Sequence, residues 1–191
     1  MTHMDELRAQ LASLLETFTP ADAREATHHE NMFALIDAPE NPFSRKHFDP
    51  GHFTASAFVL SPDGNALLLI LHAKLHRWLQ PGGHIDPDDP TVLHAALREL
   101  AEETGLFMMA ENHQQPIFDV DIHPIPANPK KDEPVHKHYD VRFLFRATTT
   151  HLTASSDAKD ARWVPLDEIT EAMADASVMR ALAKIRRGVS S

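Results

Sequence analysis

The chain contains no cysteine. A disulfide framework and a thiol nucleophile are therefore both excluded. No apolar run approaches the roughly 20 residues that span a bilayer. The opening MTHMDELRAQ lacks the basic-then-apolar order of a secretory leader, so the expectation is a cytoplasmic protein with no membrane partner. Basic residues are outnumbered: 18 Lys and Arg stand against 28 Asp and Glu, a net charge of −10. That balance disfavours a nucleic-acid backbone as partner. An anionic phosphate substrate would need metal ions and a few basic side chains placed locally. Internal repeats and low-complexity tracts are also missing. At 191 residues the chain suits one core-bearing domain with an appendage.

What is present centres on GGHIDPDDPTVLHAALRELAEETGL, Gly82 to Leu106. A Gly-rich turn leads into a helix, with Asp89 as expected N-cap, Pro90 as first helical residue and Gly105 as C-terminal stop. Leu93, Ala96 or Leu97, Leu100 and Thr104 form a stripe that can face a core. The other side carries Arg98, Glu99, Glu102 and Glu103. Glu99, Glu102 and Glu103 stand at i, i+3 and i+4, so three carboxylates share one face and repel. Arg98 relieves part of this, and a divalent cation would relieve more. Mg²⁺ is hard, prefers oxygen and is often held by a few carboxylates together with substrate phosphates.

The run Gly83, Asp89, Arg98-Glu99-Leu100, Glu102-Glu103, Gly105-Leu106 resembles the Nudix box of the Nudix hydrolase family. RELAEETGL matches the pattern throughout. The earlier half departs twice: Asp89 stands where the family has its first glutamate, and one extra residue separates it from Arg98. The resemblance extends from about His52 to Ile169. It implies an α/β (α+β) fold, a Nudix-type α/β/α sandwich with a mixed central sheet. It also implies a metal-dependent hydrolase that cleaves a pyrophosphate linkage in a nucleoside diphosphate derivative. By the same resemblance Glu99, Glu102, Glu103 and the Gly83 carbonyl hold Mg²⁺ (or Mn²⁺), and Glu102 or Glu103 orients or deprotonates water. Arg98 holds a carboxylate in place, and Asp132, Glu133 and Asp157 are candidates for a base on another loop.

Residues 1–48 read as a helical extension and 49–191 as the Nudix domain. Asp5–Phe18 and Ala21–Ile36 show helical apolar spacing, broken by Thr19-Pro20. Packing on the domain is the expected role of these helices; a dimer contact or a cover over the site are the alternatives. Ser61-Pro62-Asp63-Gly64 predicts a hairpin between Phe53–Leu60 and Ala66–His72. Trp78 sits in a short strand, where core packing is expected over stacking on a base. Ile117–Ile122 and His136–Arg146 alternate. If they are neighbours, Asp121 and His123 lie beside His138 and Asp140 on one polar face. That face is either plain surface or, as the resemblance favours, a substrate-binding strip of His123, His138, Asp140 and Arg142. Leu166–Arg187 reads as one closing helix. The 14 histidines are many for this length, and alternating pairs such as His136 and His138 stand out.

Two other readings share the fold. An isopentenyl-diphosphate-isomerase-like enzyme would use histidine ligands but ordinarily a cysteine, which is missing. A non-catalytic nucleotide sensor ordinarily has an appended DNA-binding domain and often a decayed box, whereas this box is intact. A homodimer is possible, that being the commonest closed assembly.

Overall fold

Alternating apolar residues punctuated by Pro, Asp and Gly make strands here, and capped amphipathic runs make helices. The computed structural model describes residues 2–72, 75–109, 115–152 and 160–189. The elements are α1 (His3–Thr17), α2 (Ala23–Ile36), β1 (Gly51–Leu60), β2 (Ala66–His72), β3 (Arg77–Leu79), β4 (Gly82–His84), α3 (Val92–Thr104), β5 (Ile117–Ile125), β6 (His136–Arg146), β7 (Ala161–Pro165) and α4 (Ala176–Val189). This is an α+β chain, as expected. Its packing gathers into two units. The first holds Met1–Ser56, Gly83–Ala96 and Ala110–Phe143; the second holds Ala57–Gly82, Leu97–Met109 and Leu144–Ser191.

In the first unit β6 lies between β1 and β5. β5 and β6 are antiparallel, and their register sets Asp121 opposite Asp140 and His123 opposite His138. The juxtaposition expected from alternation is therefore present. Both N-terminal helices pack inside this unit. Thr2 and Asp5 cap α1 reciprocally, and Leu7, Leu11 and Leu15 form its buried stripe. The Asp22 carboxylate accepts the Glu25 N–H, so α2 starts at Ala23 rather than at Ala21. Arg8 of α1 donates to the carbonyls of Ile36, Ala38 and Glu40, which satisfies the end of α2. His29 bonds the Leu15 carbonyl at 2.8 Å, and α2 lies against β5 with His28 Nδ1 3.4 Å from the Val120 carbonyl.

At Gly51, β1 and β6 approach closely. Its φ is +154°, and a Cβ there would meet the Lys137 carbonyl oxygen at 1.9 Å. The atoms it meets are all Lys137 backbone, so only strand separation relieves the clash. Gly51→Ala is expected to lower the thermal midpoint by at least several degrees, since strained backbone alone costs about 1–3 kcal/mol. A melt within a degree of the parent would contradict this close approach.

In the second unit β2 pairs antiparallel with β1, β3 and β7. Leu67, Leu68, Leu69 and Ile70 are all buried, each contributing about 1.5–3 kcal/mol of side-chain burial. The hairpin turns at Ser61–Gly64 as the sequence predicts. Gly105 ends α3 in the left-handed conformation (φ +68°), its N–H reaching the Ala101 carbonyl at 2.9 Å.

Two expectations fail in this unit. The closing helix does not begin at Leu166; turns occupy the segment to Asp175, which caps α4 through its carboxylate to Val178 N–H at 2.8 Å. The reason lies in β3, where Trp78 N–H takes the Met173 carbonyl at 2.8 Å, beside a parallel bridge to Ala174. Trp78 itself is half-buried, with the Arg162 guanidinium 4.0 Å from its ring centroid, a cation–π contact rather than core packing.

Candidate functional site

The stripe on α3 packs as read: Leu93, Ala96, Leu97, Leu100 and Thr104 are buried. The start of the helix is a correction. Asp89 is not its cap. Thr91 takes that place, its hydroxyl accepting the His94 N–H at 3.1 Å and its carbonyl the Ala95 N–H at 3.1 Å. Asp89 is buried and its carboxylate accepts the Asp86 N–H at 2.8 Å, closing the turn before the helix. With that carboxylate committed to the turn, the hydroxyl two residues on caps the helix. Gly82–His84 forms a short strand, β4, rather than a bare turn.

On the opposite face Arg98 Nη1 lies 3.2 Å from Glu99 Oε1 and 3.3 Å from Glu102 Oε2. Glu103 points inward, is buried, and accepts the Gly82 N–H at 3.0 Å. Glu102 is the exposed member, its side chain 55% accessible. Burial pushes the Glu99 carboxyl above its usual range; Arg98 opposes the rise, and Glu103 and then Glu102 add to it. Arg98 thus bridges two carboxylates, while three crowd one another in an all-oxygen set. That donor chemistry fits a hard divalent cation such as Mg²⁺ or Mn²⁺. Gly83, the remaining candidate ligand, follows Gly82 in β4 and belongs to the first unit.

The polar face shared by β5 and β6 is neither plain surface nor open strip. Asp119, Asp121, Asp140 and Arg142 are all buried, Arg142 to 1% exposure. The guanidinium donates to Asp140 at 2.7 Å, Asp119 at 3.1 Å and Asp121 at 3.3 Å. Thr54 and Ser56 of β1 donate to Asp140 at 3.0 and 2.8 Å. Burial works against the charge of Arg142, yet Asp140, Asp121 and Asp119 outweigh it and raise its pKa. Asp140 and Arg142 are therefore enclosed, bonded to each other and to their neighbours. His123 is half-buried, its Nδ1 3.3 Å from Asp121.

His138 belongs to a histidine cluster. Its ring centroid lies 4.8 Å from His52, 5.3 Å from His84, 5.3 Å from His136 and 5.6 Å from His123. Sequence reasoning singled out His123, His136 and His138 but missed His52 and His84. Those two stand alone on β1 and β4, and nothing in their local pattern marks them; only the pairing of strands brings them in. Asp119 was legible as a neighbour of Asp121 in the alternation but was not singled out. Asp132 is exposed and Glu133 half-buried beside the 3₁₀ turn Pro129–Lys131, within the first unit; Asp157 lies outside the described residues.

A family model for the NUDIX domain matches residues 50–183. This chain belongs to the NUDIX family. As a Nudix hydrolase it is an enzyme of the pyrophosphohydrolase kind. A relative from Lactococcus lactis subsp. cremoris (strain MG1363), named "Probable DHNTP pyrophosphohydrolase", is 36% identical over 122 residues, 62% of this chain and 70% of that protein. The Mus musculus "Mitochondrial coenzyme A diphosphatase NUDT8" is 46% identical over 54 residues, 25% of this chain and 26% of that protein. Among solved structures, the E. coli dihydroneopterin triphosphate pyrophosphohydrolase superposes with a TM-score of 0.52 at 12% identity, covering 72% of this Nudix chain and 94% of its own. That likeness is one of fold. No helix among the described residues is long and apolar enough to cross a membrane.

Proposed function

We propose that this Nudix protein hydrolyses a pyrophosphate linkage in a nucleoside diphosphate derivative or in a pterin triphosphate, with Mg²⁺ or Mn²⁺ held by Glu99, Glu102 and Glu103. The observation that carries this is the crowding of those carboxylates on one face of α3, with Arg98 bridging two of them and Glu103 turned in onto the Gly82 N–H. A cation bound there supplies charge neutralisation for the phosphates and acidifies bound water. Water adds to a phosphorus, the bridging P–O bond breaks, and the water proton passes to a carboxylate. Such a transfer depends on positioning and electrostatics more than on covalent catalysis. Arg98 is a positioning residue: it holds Glu99 and Glu102 through charge-assisted bonds.

Dihydroneopterin triphosphate is the first compound to test, because the relative 36% identical over 122 residues carries that activity in its name. A panel adding nucleoside triphosphates, nucleotide sugars, dinucleoside polyphosphates and coenzyme A completes the assay. Release of phosphate, pyrophosphate or mononucleotide is expected only with Mg²⁺ or Mn²⁺. Glu102→Gln is expected to lower kcat by roughly tenfold or more, and chelator is expected to remove the activity. Metal-independent release, or full activity in Glu102→Gln, would defeat the assignment.

A further inference from the structure

We propose that His52, His84 and His138 form a second metal site, with different ligands from the box, that binds one zinc-like transition-metal ion through three imidazoles. The three come from different strands: His52 from β1, His84 from β4 and His138 from β6. One ring nitrogen of each lies within 4.8 Å of the others. Ring centroids are 4.8 Å apart for His52 and His138, 5.2 Å for His52 and His84, and 5.3 Å for His84 and His138. Zn–N bonds of about 2.0–2.1 Å in a tetrahedron set nitrogens about 3.3 Å apart. Small ring rotations on fixed strands bring the set to that spacing.

The orientation of His52 is what points to an ion. It is 1% exposed. Its Nδ1 lies 3.0 Å from the His47 carbonyl, which can only accept, so Nδ1 carries the proton. The lone pair is then on Nε2, which is buried and has no hydrogen-bond partner. A buried acceptor without a partner is costly, and an ion among the three rings removes that cost. An N–H tied to a backbone carbonyl is also the arrangement that fixes the tautomer of metal-ligating histidines. Around it, His47 Nδ1 bonds the Gly51 carbonyl and its Nε2 faces the Glu40 carboxylate at 3.4 Å. His136 is anchored on the Pro134 carbonyl at 2.8 Å and stacks on His52 at 5.1 Å.

Burial of His52 and His138 favours the neutral ring that a ligand needs. Burial lowers His138 to about 2, with His52 next among the causes, and lowers His52 to about 4 despite the His47 carbonyl. Three neutral nitrogens select zinc, cobalt, nickel or copper over Mg²⁺, whose preference is for oxygen. They also leave the full charge of the ion and a fourth position, which suits water or an anionic oxygen. This reading stands apart from the catalytic one: the box needs carboxylates and a hard ion, this set neither.

The test is titration of the metal-free full chain with Co²⁺ alone. One equivalent is expected to give the strong visible bands of four-coordinate cobalt, displaced by Zn²⁺. Those bands are expected to persist in Glu99→Gln/Glu102→Gln and to vanish, or to need at least tenfold more metal, in His84→Gln and in His138→Gln. The weak bands of six-coordinate cobalt, or strong bands surviving both histidine changes, would overturn the site. X-ray absorption of the unaltered chain with Zn²⁺ gives a readout that no variant's folding can confuse. A first shell rich in imidazole supports the proposal, and a shell of oxygens alone refutes it.

Discussion

Glu103→Gln is expected to lose metal-dependent turnover by roughly two to three decades while remaining folded. The fold survives because the amide oxygen of Gln can still accept the Gly82 N–H that Glu103 Oε2 accepts at 3.0 Å. What disappears is a negative charge on a buried side chain, one of three that would hold the cation. Transition-state charge stabilisation by a bound metal amounts to several kcal/mol, and each 1.36 kcal/mol is about tenfold in rate. Parallel assays of kcat with Mg²⁺ and of the circular dichroism melt separate the two effects. Unaltered kcat would remove Glu103 from the metal set. A collapsed melt would instead show that its bond to β4 is chiefly structural.

The second large effect is on stability. Arg142→Leu leaves Asp119, Asp121 and Asp140 enclosed together without the guanidinium that bonds all three. Removing one partner of a buried ion pair costs about 3–5 kcal/mol, because the other charges stay desolvated and uncompensated. Against a total stability of about 5–15 kcal/mol this is a severe loss. For a chain of this length a drop of roughly 10 °C or more in the melting midpoint is expected, or insoluble protein. Arg142→Lys is expected to recover little, since an ammonium lacks the planar fork that reaches three carboxylates at once. A midpoint within about 2 °C of the parent for Arg142→Leu would show that the guanidinium contributes little to stability. Replacing Asp119 and Arg142 together by Asn and Leu is expected to cost less than the sum, the coupling expected of groups in one network.

The contrast between strand pairing and strand burial shows how far the sequence could be read. Alternation along β5 and β6 was enough to put His123 across from His138 and Asp121 across from Asp140, because period and turn placement determine register. It was not enough to say whether that face meets water. A row of Asp and His looks like surface until a third strand supplies Thr54 and Ser56 and the arginine turns along the row. RELAEETGL was legible because the helix places its charges by a fixed 3.6-residue period. The cap was not, because Asp89 is the better capping type, and only the turn that occupies its carboxylate leaves the cap to Thr91. His52 and His84 failed for a related reason: a cluster built from single residues of separate strands has no local signature. The start of α4 was hidden by a contact distant in sequence, the Trp78 N–H on the Met173 carbonyl.

The packing of α2 against β5 bears on how this protein can be cut and recombined. The family match begins at residue 50, yet His28 reaches the Val120 carbonyl and lies 3.7 Å from Asp121 from before that boundary. A fragment trimmed to the matched span would strip β5 of its covering helix and bare the flank of a buried acidic network to solvent. Such a fragment would be a poor cassette for grafting or domain swaps, because the matched span leaves out a helix that packs on β5.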